Sequence, residues 1–254
     1  MIKTESGHLP NGRVIYTALV LGMCYILFAA ALLYDGGDNL IYEFLQKGFT
    51  AFPVLAAVAT RFITRDKSPW KISLKVWKNG RMWLFCALAP GILVAIGAVA
   101  YFMAFPGEYS GNFNYGELIA LTGARSGGMM QISNPALFWT VTILVSAAFI
   151  PIQLLELGEE IGWREYLLPR QIERYGARKA VLLNGFLWGM AHMPLIYFGF
   201  NYSLDNPAAP WSNMAMMMLV CVVMGIILSY VMIKSGNVLY PAIIHGVFNV
   251  IGEV

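Results

Sequence analysis

Glu156, Glu159, Glu160 and Arg164 stand together at the end of a long apolar run, and their types and spacing suit acid–base chemistry. An ionised carboxylate at bilayer depth is costly unless it is paired, so acids placed there point to function. On a helix, Glu156, Glu160 and Arg164 recur every four residues along one stripe, acid before base, the favourable order for an ion pair. Glu159 is turned about 100° from that stripe. Arg164 can then neutralise one carboxylate while its neighbour titrates in a different environment, which is how paired carboxylates acquire separate roles. A charged helix end at the membrane surface accounts for the same residues equally well at this point.

The other polar residues inside apolar runs are few. Of three histidines, His8 lies in a polar tail, while His192 and His245 are surrounded by apolar sequence. Trp188 precedes His192 by four residues and so shares its helix face, and the small Gly189 beside it admits a neighbouring helix. His245 and Asn249 share a face by the same spacing. One buried histidine alone more often makes an interhelical hydrogen bond than performs catalysis. Two histidines, an asparagine, two glutamates and an arginine on three helices supply more: a carboxylate base, a partner for its proton, and neutral donors for an oxyanion. Amide hydrolysis by water needs that inventory.

The elements that must position these residues are membrane helices. With 254 residues, 58% hydrophobic and 12% charged, and a mean hydropathy of +0.62, the chain has too few charges to cover a soluble surface. The net charge of +3 comes from loops, and no basic stripe interleaved with aromatics suggests a nucleic-acid partner. Cys24, Cys86 and Cys221 lie inside apolar runs without metal-ligand spacing and are expected to be buried packing residues. Apolar segments at 14–34, 40–60, 82–105, 136–160, 180–200, 213–233 and 238–254 predict an all-α polytopic transmembrane bundle of about seven helices, six to eight, the second and last being the weakest. Residues 164–179 read as a basic, amphipathic connector. The loop from Arg61 to Arg81 carries seven bases and one acid, which marks it as cytoplasmic and puts the N-terminus on the same side. This threading leaves only Lys47 and Arg125, of 17 lysines and arginines, on the outer side. Residues 1–254 are expected to form a single integral-membrane domain.

Three motifs, Glu159-Glu160-x-x-x-Arg164, Trp188-x-x-x-His192 and His245-x-x-x-Asn249, occur in this order within about 90 residues. In this the chain resembles the CAAX-protease and bacteriocin-processing family, also called Abi, with Trp188 where phenylalanine is usual. The resemblance covers roughly residues 153–250, within a catalytic core expected at 136–254. It implies an all-helical intramembrane glutamic endopeptidase of a bacterial plasma membrane, acting on a CAAX-like, bacteriocin or signal-type peptide. It further implies that Glu159 and His192 activate water, that His245 and Asn249 hold the oxyanion, and that Glu160 and Arg164 support the site. No cofactor is expected. Zinc on His192, His245 and Glu159 is the minority alternative, because Asn249 is a poor zinc ligand and HExxH is absent. GxGD is approached only by Asp35-Gly36-Gly37-Asp38, and GxSG only by Ala124-Arg125-Ser126-Gly127 in an outer loop. A non-catalytic scaffold or immunity protein of the same fold is the other functional class; it would not need both histidines together with Asn249.

Overall fold

The computed structural model describes residues 12–34, 39–109, 134–148 and 156–252, and all regular structure among these residues is helical. The expected outer-loop sequences around Asp35 and Ser126 lie outside them. Among the described residues, four helices are long and apolar enough to cross a membrane: α1 (Gly12–Leu33), α4 (Gly80–Ala104), α8 (Ala177–Tyr197) and α9 (Trp211–Ser235). At about 1.5 Å per residue each covers a hydrocarbon core of about 30 Å. The chain is an integral membrane protein.

The span expected at 40–60 is instead two short helices, α2 (Leu40–Gly48) and α3 (Phe52–Thr64). Pro53 has no N–H to donate and its ring would clash within a continuous helix, so it sits in the first turn of a new one. Asn39 starts α2 by accepting from the Tyr42 N–H at 3.0 Å. The segment expected at 136–160 is described as α5 (Pro135–Ala148) and, after residues outside the described set, the single turn α6 (Leu157–Glu160).

A π-helical segment, Ile161–Leu167, follows α6 and leads into α7 (Leu168–Tyr175). The basic, amphipathic connector expected at 164–179 starts in buried surroundings: residues 162–168 are buried, and Arg164 is 0% exposed. Within that stretch, α7 keeps the amphipathic character that the sequence suggests, with Leu168 and Gln171 buried and 173–175 exposed. The chain closes with α10 (Leu239–Gly252).

Two compact units divide the chain, Met1–Ile72 with Leu157–Val238, and Ser73–Glu156 with Leu239–Val254. In the first, the π segment packs on α1 and α3. Tyr16 meets Trp163 edge-on at 5.7 Å and Tyr166 at 5.3 Å. Gly162 permits this approach, since a Cβ there would run into Pro53 and the Tyr16 hydroxyl. Helices α8 and α9 touch through Gly185, whose added Cβ would lie 2.9 Å from the Val222 Cα.

A polar strap, residues 65–72, is tied to the same π segment. The Arg61 guanidinium stacks over Trp70 at 3.5 Å and donates to Glu165 Oε1 at 3.4 Å, and the Lys71 N–H donates to the same oxygen at 3.3 Å. Arg170 pairs with Asp66 and stacks over Tyr166 at 3.8 Å. Burial pushes the Glu165 carboxyl above its ordinary value, against Arg61 and the Lys71 N–H. Asp66 goes the other way: burial pushes it up, but the Ser68 N–H and hydroxyl, with Arg170 and Arg61, outweigh this and hold it below its ordinary value.

In the second unit, α4, α5 and α10 pack together, and Gly91 of α4 admits Ile143 and Ile251 where a Cβ would come within 2.8 and 2.9 Å of them. Asn79 Oδ1 caps α4 through the Met82 N–H at 3.2 Å. The Tyr240 hydroxyl ties α10 to the Val76 carbonyl at 2.7 Å.

Candidate active site

In the first unit, α6 and the π segment present Glu159, Glu160 and Arg164 to α8. Arg164 Nη1 donates to Glu160 Oε1 at 2.9 Å, with both side chains fully buried. Such a pair must recover a large desolvation cost by good geometry and further contacts. One further contact is Trp188, whose ring face lies 4.1 Å from the Arg164 guanidinium carbon, so the ring's negative face shares in compensating the charge. The Arg164 Nε and Nη2 have no hydrogen-bond partner among the described residues, which makes Glu160 and Trp188 the more important to it.

Trp188 also donates its indole N–H to Glu159 Oε2 at 2.7 Å. One side chain thus covers the ion pair with its face and orients the second glutamate with its edge. Glu159 is buried, and its carboxylate does not share the described Arg164 bond. The two adjacent acids therefore have different partners, as their positions on a helix suggested.

One turn further along α8, His192 Nδ1 lies 3.0 Å from the Trp188 carbonyl. A carbonyl only accepts, so Nδ1 carries a proton, and in the neutral form of the ring the lone pair is on Nε2. Phe49 packs edge-on against this ring at 4.6 Å, and Cys221 Sγ lies 3.7 Å from Nδ1. Gly189 brings α9 close, since its Cβ would stand 2.7 Å from Met218 Sδ. The other two cysteines are buried as well.

His245 and Asn249 lie one turn apart on α10 in the second unit. Both turn to the same carboxylate, Glu156. Asn249 Nδ2 donates to Glu156 Oε1 at 3.0 Å, and His245 Nε2 lies 3.9 Å from Glu156 Oε2. Within this unit these are also the carboxylate and imidazole donors that a metal ion could use. The stripe reading placed Glu156 with Glu160 and Arg164. It misses this arrangement because Glu156 precedes the first turn of α6 and binds α10 residues far away in sequence.

The sequence model of the Rce1-like family, described as type II CAAX prenyl endopeptidase, matches residues 133–251. CAAX prenyl protease 2 of Methanococcus maripaludis is 31% identical over 116 residues, 43% of this chain and 42% of that relative. The family match thus covers the part of the chain that carries the three motifs. The chain therefore spans less than half the length of the curated relative it matches. Glu159, Glu160, Arg164, His192, His245 and Asn249 all fall within the matched segment, and so does Glu156, which no motif contains. α1 to α4 precede it. Phe49 and Cys221, which line His192, could not be singled out from sequence because their roles depend on long-range packing.

Proposed function

We propose that this protein is an intramembrane endopeptidase in which a glutamate and a histidine activate water against a peptide bond of a membrane-associated substrate. The observation that carries the reading is the state of Glu159 and His192: a buried carboxylate held by the Trp188 indole, and an imidazole whose Nδ1 proton is committed to a carbonyl, leaving Nε2 as a proton acceptor. In this proposal Glu159 and His192 take a proton from water as its oxygen attacks the scissile carbonyl carbon. Asn249 and His245 donate to the resulting oxyanion. When the C–N bond breaks, the proton passes to the departing amine. Glu160 and Arg164 hold the segment that carries the base.

The family of the matched segment, and the printed name of the archaeal relative, make a prenylated CAAX peptide the first substrate to test; bacteriocin and signal-type peptides are the others. The chemistry uses no cofactor and no metal ion. The site opens to the cytoplasmic face of a bacterial plasma membrane, following the basic strap and loop between α3 and α4. The test is cleavage of a prenylated CAAX peptide, and of a peptide library, by purified wild type and Glu159→Gln. Wild-type cleavage that the substitution abolishes supports the reading, and equal activity of the two proteins overturns it.

A further inference from the structure

Glu156 is a partly buried carboxylate outside all three motifs, and the proposed chemistry gives it no task. Its side chain is 15% exposed, and it faces both His245 and Asn249 of α10. An ionised carboxylate can only accept hydrogen bonds. The contact with Glu156 Oε1 therefore settles which end of the Asn249 amide is the NH2: one N–H points to Glu156, the carbonyl points elsewhere, and the second N–H stays available. Without such an acceptor the amide could turn over and present its oxygen, which would repel an oxyanion.

The same carboxylate constrains His245. Glu156 Oε2 makes no hydrogen bond among the described residues and lies 3.9 Å from His245 Nε2. A carboxylate favours a ring that presents N–H to it, and the attraction orients the imidazole.

We propose that Glu156 is a positioning residue, which holds the Asn249 amide and the His245 imidazole as hydrogen-bond donors from a single carboxylate. This rests on the peptidase reading for what the donors are used for. The role is one step removed from the chemistry, since Glu156 acts through Asn249 and His245. Because it lies three residues before Glu159, the chain that delivers the base also delivers the residue that orders the donors.

The experiment measures kcat, KM and apparent melting temperature for wild type, Glu156→Ala, Glu156→Gln, Asn249→Ala and the Glu156→Ala/Asn249→Ala double variant on one prenylated peptide. Glu156→Ala should lower kcat about 10–100-fold with KM little changed, as for other residues that orient catalytic groups. Glu156→Gln keeps an oxygen for Asn249 and loses the charge toward His245, so its kcat should fall between those of Glu156→Ala and wild type. In the Asn249→Ala background the loss from Glu156→Ala should shrink, because the group it orients has gone. Losses that multiply, or a Glu156→Ala kcat equal to wild type, overturn the proposal. If Glu156→Ala does not fold, the cycle is run with Glu156→Gln and His245→Ala, where multiplying losses are again fatal. Cleavage that Glu159→Gln abolishes but Glu156→Ala leaves intact sinks the role of Glu156 alone. If wild type cleaves nothing, the side-chain amide resonances of Asn249 in asparagine-labelled protein still decide: they should move in Glu156→Ala, and unmoved resonances reject the contact.

Discussion

The adjacent glutamates Glu159 and Glu160 differ in the partners that hold them, and substitution should separate their roles. Glu159→Gln keeps the shape, retains an oxygen for the Trp188 N–H and removes the base. Activity should fall by the roughly 10²–10⁴-fold that acid–base catalysis contributes, with the melting temperature nearly unchanged. Glu160→Gln leaves the Arg164 charge buried without its carboxylate. That should cost roughly 3–5 kcal/mol, seen as a lower apparent melting temperature or poor yield alongside lost activity. A stable, inactive Glu160→Gln with an active Glu159→Gln would reverse the two assignments. Trp188→Phe is a finer probe: the ring can still lie over Arg164, while the N–H on Glu159 is gone. A hydrogen bond to a charged group is worth about 1.5–3 kcal/mol, so kcat should drop roughly 10–100-fold if that bond orients the base. An unchanged kcat would mean that Glu159 is oriented by other contacts.

At the scale of elements, the π segment is where local preference and tertiary demand meet. It follows directly on the glutamates and carries Gly162, Arg164 and Glu165 into buried surroundings. Gly162→Ala should force the segment away from Pro53 and Tyr16, at a cost of about 1–3 kcal/mol in stability, readable as a lowered melting temperature. The strap on this segment has a pH signature. The Asp66 carboxyl is held below its ordinary value of 3.8, so in the folded state it stays ionised when the unfolded chain has taken up a proton. Its stabilising contribution is complete above that value and is lost as pH falls through the lower folded value. The melting-temperature gap between wild type and Asp66→Asn should be constant at neutral pH and close only in acid below about pH 4. A gap that instead closes on going to higher pH would show that Asp66 is not held by Arg170 and Ser68.

At the scale of the molecule, four long apolar helices make this an integral membrane protein, and the charge distribution makes a statement about its orientation. Cysteines introduced at Lys67 and Lys75 in intact cells should react with an impermeant maleimide only after the membrane is opened. Labelling from outside would invert the threading. Activity should also survive strong chelation, since the proposed chemistry runs on carboxylate and imidazole. Loss of activity on chelation, restored by zinc, would move the reading to a metalloprotease.

The helical class and the positions of α1, α4, α8 and α9 were legible in the sequence because an uninterrupted apolar run of about 20 residues has few other stable outcomes in a bilayer. The Glu160–Arg164 pair and the sharing of an α8 face by Trp188 and His192 were legible too, since they depend only on four-residue helical spacing. Pro53 already carried the signal that breaks the segment at 40–60, but run length alone hid it. Other features could not be read from local pattern. The spacing gave Arg164 its Glu160 partner, but not its complete burial or the Trp188 face from another helix that shares in compensating its charge. Glu156 looked like a member of the arginine stripe, yet its partners lie 89 and 93 residues further along the chain, at His245 and Asn249. Helical period determines which neighbours share a face, whereas contacts between distant helices are set by how close their backbones can come. In this protein that closeness is decided at Gly162, Gly185 and Gly189, where no Cβ stands in the way.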